Sequence, residues 1–438
     1  MNSLSLKFLL LQKKSITKYM NPIEINVQSE IGKLESVILH RPGAEIENMI
    51  PGNVERALYS DILNLNVSLN EYDQLEGVLS KVSSTFQIKN LLEDILLTEN
   101  IRIPLVEKIC KNEKQLELQD YLNQLSANEL ARQLIEGVVL VKDNLTKYLS
   151  KERYALRPLH NLFFMRDAGF AVRKRVLISK MASQVREREA LLIEAIFNNH
   201  PKFSTTTLNP MSTSSSFDEV TIEGGDILIA REDVILVGIG ARTNSHGADY
   251  ILDKLKKSLK SRHIIIQELP LSPESFIHLD MVFTFLDKDK CMVYDPIILK
   301  PNKYQTVHIE VRDGEVYSIE NKENLLVALR DLKIDLEPVF CGGKKDSWIQ
   351  EREQWHSGAN FFAFAPGKVI GYGRNVNTIE EMNNHGFEVL KATDIISGAV
   401  HPDDYKRCVV TIEGSELARG GGGARCMTMP IRRSAVDW

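Results

Sequence analysis

With 438 residues, 43% of them hydrophobic and 26% charged, the chain has the composition of a globular protein large enough for one big domain with an insertion, or for two domains. A formal net charge of −5 lacks the basic excess of a nucleic-acid binder, and no apolar run approaches the roughly 18 residues of a membrane span, so neither nucleic acid nor a bilayer is an expected partner. Five cysteines, Cys110, Cys291, Cys341, Cys408 and Cys426, are scattered without C-x-x-C spacing. They suggest neither a zinc site nor a disulfide framework, and free thiols in a reducing, cytoplasmic setting are expected.

Residues 1–20 are basic and contain no acid, but Lys7 interrupts the apolar stretch and no small-residue cleavage site follows. A disordered extension is expected there rather than a secretory signal. Residues 21–72 read as the first part of an α/β body, with a strand at 34–39 ended by the turn His40-Arg41-Pro42-Gly43. Residues 73–150 differ in kind. Apolar residues recur there at three and four (Leu75, Val78, Leu79, Val82; Leu118, Tyr121, Leu122, Leu125; Leu130, Leu134, Val138), the helical period. An inserted bundle of amphipathic helices is expected, broken near Ile103-Pro104, with Cys110 a buried structural thiol. Residues 151–438 return to short β-rich runs, at 171–179, 226–238, 263–269, 281–286, 291–296, 361–372 and 408–412, with helices expected at 183–197 and 250–259. Repeated strand, strand, helix, strand units suggest a modular α/β body into which the helices are inserted after the first unit.

Chemistry concentrates at four places. Cys426 follows Ala418-Arg419-Gly420-Gly421-Gly422-Gly423-Ala424-Arg425, a backbone able to approach a small ligand closely, and flanking arginines are expected to favour its thiolate. Asn161 to Asp167 sets an acid beside aromatics, and Glu223-Gly224-Gly225-Asp226 offers acids on a glycine turn. His278-Leu279-Asp280 alternates two polar groups, which on a strand would share one face. Together they supply a thiol, an imidazole and carboxylates, the parts needed to hold a cation and attack it. Other motifs carry plainer readings. His401-Pro402-Asp403-Asp404 marks a turn rather than a metal site, and Gly238-Ile239-Gly240 lacks the third glycine of a dinucleotide fingerprint.

From about Ile25 to Arg433 these segments, in order and spacing, resemble the arginine deiminase family. The resemblance is carried by Leu39-His40-Arg41-Pro42-Gly43, 161–167, Arg186-Glu187-Arg188-Glu189, 223–226, Gly240-Ala241-Arg242-Thr243, 278–280, Arg352-Glu353-Gln354-Trp355, and Gly414-Ser415-Glu416-Leu417 leading to Cys426. It implies a five-bladed α/β propeller with the helical bundle inserted after the first blade, and hydrolysis of L-arginine to L-citrulline and ammonia without metal or cofactor. By position it implies Cys426 as nucleophile, His278 as acid and then base, Glu223 orienting His278, and Asp167 with Asp280 as the guanidinium clamp. Arg186 and Arg242 would meet the amino-acid end, with Asn161, Phe164 and Gly420 completing the substrate site, and a homo-oligomer is expected. Taken singly, His278 would read as a core histidine, Asp280 as a surface strand residue and Arg186 as a solvated helix-start residue. Family members read Arg-Gly-Arg-Gly-Gly before the nucleophile, whereas this chain has Gly421 at the second arginine, Met165 and Ala168 around Arg166-Asp167, Met281 after Asp280, and an unmatched polar stretch at 398–407. These departures keep a methylarginine hydrolase, an amidinotransferase and a non-catalytic arginine-binding protein as alternatives.

Overall fold

Five sheets among the described residues of the computed structural model share one pairing scheme. In each, a central strand runs antiparallel to one neighbour and parallel to the other. Leu34–Leu39 lies between Met429–Arg433 and Ser84–Gln87, and Arg175–Ile178 between Gly169–Val172 and Thr206–Leu208. Val234–Ile239 lies between Ile227–Arg231 and Arg262–Glu268, Lys290–Val293 between Phe283–Phe285 and Glu337–Phe340, and Lys368–Tyr372 between Phe362–Ala365 and Cys408–Ile412. The residues described are 21–51, 54, 59, 61–212, 219–257 and 262–438. The expectation for residues 1–20 therefore lies outside them.

In four of these sheets the antiparallel neighbour precedes the central strand as a hairpin; in the first it arrives from the far end of the chain as Met429–Arg433. Each module thus begins at the lead-in to its antiparallel strand. Those strands are almost fully buried, which explains why they read as apolar runs rather than as alternating ones. The third sheet is widened by the hairpin Thr306–Arg312 and Glu315–Lys322, and the fifth by Glu388–Lys391.

The helical segment begins with Leu65–Val82, whose first turn is capped by Asn64 Oδ1 accepting from Val67 N at 3.2 Å. Ile88–Leu96, Glu99–Asn112, Gln119–Gln124 and Ala127–Glu136 follow. Leu130, Ala131 and Leu134 of the last are fully buried with Leu91, Leu92, Val106 and Ile109 in one core, as the three-and-four spacing requires. Two expectations are corrected here. Helix Glu99–Asn112 runs through Pro104 without a break. The proline forfeits one bond to the Asn100 carbonyl, but burial of Leu105, Val106, Ile109 and Cys110 holds the helix against that loss. In addition, strand Ser84–Gln87 interrupts the helices and pairs with Leu34–Leu39, so part of this segment belongs to the first sheet. The helices expected at 183–197 and 250–259 are found as Glu187–Asn199 and Ser245–Lys256, with residue 259 outside the described residues.

Candidate active site

The five lead-ins deliver six polar or nucleophilic groups, two of them on one lead-in. Asp167 precedes strand Gly169–Val172, Glu223 precedes Ile227–Arg231, His278 and Asp280 precede Phe283–Phe285, Asn360 precedes Phe362–Ala365, and Cys426 precedes Met429–Arg433. These groups meet. Cys426 Sγ lies 3.9 Å from Asp280 Oδ2, and Asn360 Oδ1 accepts from the backbone N of Arg425 at 2.9 Å and of Cys426 at 3.3 Å. Asn360 Nδ2 in turn donates to the Asp280 carbonyl at 3.1 Å, so one side chain ties the Cys426 loop to the segment that carries Asp280. His278 Nε2 pairs with Glu223 Oε2 at 3.0 Å, and its Nδ1 is 3.7 Å from Asp167 Oδ1.

Local sequence explains the close approach. A Cβ at Gly225 would sit 2.5 Å from the His278 ring, so the Glu-Gly-Gly-Asp turn must carry glycine for the imidazole to lie against it. A Cβ at Gly422 would sit 2.4 Å from the Phe164 ring, and the Gly422 carbonyl accepts from Tyr372 OH at 3.0 Å. Upstream, the buried Glu71 carboxylate accepts from the backbone N–H groups of Ser415, Glu416 and Leu417 at 2.7–3.1 Å. Helix Leu65–Val82 thereby anchors the start of the loop that leads to Cys426. Gly421 has φ +86° with nothing within 4 Å of an added Cβ, so a side chain there has room but costs about 1–2 kcal/mol of left-handed strain.

Asn161, Phe164, Asp167, Arg186, Arg242, His278, Gly420 and Cys426 all line one cavity. Glu223 and Asp280 stand behind His278 and Cys426, both fully buried. The free space is about 30 Å³, room for about one water, so admitting a larger ligand requires the walls to part. Three buried atoms around the thiol, Asp167 Oδ1, Asp280 Oδ1 and His278 Nδ1, have no hydrogen-bond partner among the described residues.

The electrostatics are set by burial and by these carboxylates. Burial opposes charge on His278, yet Asp167 and Glu223 overcome it and raise its pKa to about 9, so the imidazole is cationic at neutral pH. Burial works against ionisation of Glu223, but the His278 contact and the nearby arginines hold it down to about 2. Burial, reinforced by Asp280 and Asp167, pushes the Cys426 thiol well above its ordinary value. That corrects the expectation that flanking arginines favour the thiolate. Arg425 is spent on Glu30 and Asp280, at 3.0 and 2.7 Å, and Arg419 on Asp61 and Glu416 at 2.5 and 2.9 Å.

Two further readings change. His278 and Asp280 do not alternate on a strand: His278 is extended and Leu279–Met281 is one 3₁₀ turn, because the Asp226 carboxylate takes the Leu279 N–H at 2.9 Å. Arg186 is buried rather than solvated, its guanidinium donating to Asp167 at 2.7 Å and to Glu189 at 2.8 Å. Sequence reasoning missed Glu30, Glu189, Asn360 and, at the cavity mouth, Glu274 and Trp355. Asn360 had a signal, since it stands before its strand as Asp167 stands before its own. Asp167, Glu223 and His278 each offer a ligand atom within 4.8 Å of the others.

A mixed α/β protein whose strand lead-ins gather a thiol, an imidazole and three acids at one cavity has the layout of a guanidino-group-modifying enzyme. Solved structures agree on the fold. The chain is similar to SxtG, an amidinotransferase from Microseira wollei, with TM-score 0.53 and 12% identity over 94% of this chain and 98% of that one. It is also similar to the substrate-bound N-terminal domain of ArgZ, a cyanobacterial arginine dihydrolase, with TM-score 0.50 and 12% identity over 91% and 98%. The arginine deiminase family model matches residues 56–433. Curated arginine deiminases from Bacillus thuringiensis subsp. konkukian and Listeria monocytogenes serotype 4a are each 32% identical, over 94% and 93% of this chain and 99% and 98% of theirs. The chain belongs to the arginine deiminase family.

Proposed function

We propose that the protein hydrolyses L-arginine to L-citrulline and ammonia through a covalent adduct on Cys426. The observation that carries this reading is the pair of unpartnered buried oxygens, Asp167 Oδ1 and Asp280 Oδ1, beside the thiol. An unsatisfied buried acceptor costs about 1–3 kcal/mol, and a planar guanidinium edged with N–H donors would satisfy both. The incoming cation also offsets the two acids that hold the thiol protonated, so arginine binding lets the Cys426 proton pass to solvent and leaves the thiolate beside a still-protonated His278.

The thiolate then attacks the guanidinium carbon, forming the S–C bond. As the tetrahedral adduct collapses, the C–N bond breaks and His278, cationic in the free site, donates its proton to the departing ammonia. The neutral imidazole takes one proton from water as the water oxygen adds to the same carbon; the S–C bond then breaks, the adduct's hydroxyl proton goes to the departing sulfur, and citrulline leaves with the thiol and the cationic imidazole restored. Glu223 steadies the imidazolium, and Arg186 orients Asp167. Arg242, whose Nε has no partner among the described residues, is the available cation for the substrate carboxylate.

The repeated pairing scheme, with the last strand completing the first sheet, supports a five-bladed propeller whose blades present their lead-ins to one centre. A cytoplasmic setting fits five buried free thiols. The test is mass spectrometry on enzyme quenched during turnover, with Cys426→Ala as control. An adduct on Cys426 is expected; one on Cys341 or Cys408 would overturn the assignment.

A further inference from the structure

A second cavity, of about 200 Å³, abuts the two segments that wall the active site. His160 lines it where the adjoining Asn161 lines the active site, and Arg188 lines it where Arg186 does so two residues earlier. Lys114, just past helix Glu99–Asn112, and Arg157 complete a basic lining against a single acid, Glu113.

Arg188 is the telling residue. Its side chain is 1% exposed, its Nη2 donates to the Arg157 carbonyl, and its Nε lies 3.6 Å from Glu113 Oε1, beyond hydrogen-bonding distance. No described residue accepts from Nε or Nη1. Burial pulls the guanidinium pKa down and the nearby acids do not offset it, as for a cation short of counter-charge. Buried guanidinium donors without acceptors are unfavourable, and Arg188 is among the residues that line the cavity, so a small shift of its side chain would bring these donors to a ligand there.

We propose that this cavity binds a phosphate group, as inorganic phosphate or a small phosphate monoester, and that its occupancy changes arginine affinity through the turn from Arg188 to Arg186. Phosphate oxygens supply the acceptors that Arg188 lacks, Lys114 adds a charge-assisted bond, and Arg157, whose Nη2 donates to Glu152 at 3.1 Å, has further guanidinium donors to add another. The site also lies where helix Glu187–Asn199 begins, so the helix dipole acts in the same sense. Coupling follows from the backbone: the residues that would move toward the anion adjoin Arg186, whose Nη1 holds Asp167 at 2.7 Å. Linkage is reciprocal, so arginine must change phosphate affinity by the same factor.

The test uses the full chain carrying Cys426→Ala, so that arginine binding is read without turnover and the proposal does not depend on the chemistry above. Calorimetric titration with inorganic phosphate, with glycerol 1-phosphate, and with chloride at matched ionic strength should give saturable binding for at least one phosphate species and none for chloride. The arm that binds identifies the source. Lys114→Ala and Arg157→Ala, both at exposed positions, should each weaken it roughly tenfold, and Arg188→Met should abolish it. Arginine affinity should shift with phosphate in the parent and not in Arg188→Met. Undiminished phosphate binding in all three variants, or competition with arginine that persists in Arg188→Met, overturns the site. Phosphate binding that leaves arginine affinity unchanged overturns the coupling.

Discussion

Arg425 Nη1 donates to Asp280 Oδ2 at 2.7 Å, and the same oxygen lies 3.9 Å from the Cys426 sulfur. The arginine next to Cys426 in sequence is therefore held by the acid, and its pull on the thiol is outweighed by burial and by Asp280 and Asp167. It also pairs with Glu30, so a single guanidinium bridges the bend before strand Leu34–Leu39 to Asp280. Arg425→Gln should cost about 3–5 kcal/mol, because two buried carboxylates lose their cation together. Urea denaturation would measure it. A loss below about 1 kcal/mol, the range of an exposed pair, would mean the bridge is not structural.

The fields on the thiol give a prediction that separates clamp from activator. Asp280 raises the Cys426 pKa, so Asp280→Asn should let iodoacetamide modify free Cys426 at lower pH while arginine turnover falls by roughly thirtyfold or more. Faster alkylation with slower catalysis is the expected signature. An alkylation profile that moved to higher pH would show that Asp280 assists the thiolate.

Much of this site was legible in the sequence, and for identifiable reasons. Glycine pairs and a cysteine after a glycine run are local signals, because the close approaches of Gly225 to His278 and of Gly422 to Phe164 leave no alternative residue. Strands such as Cys408–Ile412 were readable as uninterrupted apolar runs. What could not be read was direction. Whether Arg425 faces Cys426 or Asp280 depends on Glu30, nearly four hundred residues away in the chain, |i−j| = 395. Pro104 misled because a residue's local preference was outweighed by burial of its neighbours, and the turn at Leu279–Met281 is fixed by Asp226 from another module.

Arg242 should discriminate between substrates. It lines the cavity with its Nε unpartnered among the described residues, whereas Arg186 is held by two carboxylates. Arg242→Ala is expected to reduce kcat/KM for arginine far more than for agmatine, which lacks the carboxylate. An equal loss on both would make Arg242 part of the scaffold.

Asp226 offers a test of the buried electrostatics through stability. Burial raises its pKa from 3.8 to about 7, against the pull of His278 and the hydrogen bonds from Thr243 and Leu279, and its Oδ2 has no partner among the described residues. The sign follows from proton uptake. Between about pH 4 and 7 the unfolded chain has this carboxyl ionised while the folded protein keeps it protonated, so folding binds a proton there. The group's stabilisation is complete below pH 4 and declines as pH rises, levelling off above about 7. Asparagine has the shape of the protonated acid and does not titrate; its oxygen can still accept from Leu279 N. Asp226→Asn should therefore match wild type in urea stability near pH 4 and exceed it at pH 8 by on the order of 2–4 kcal/mol. Parallel stability profiles for the two proteins across that range would mean that Asp226 ionises in the fold as readily as in the unfolded chain.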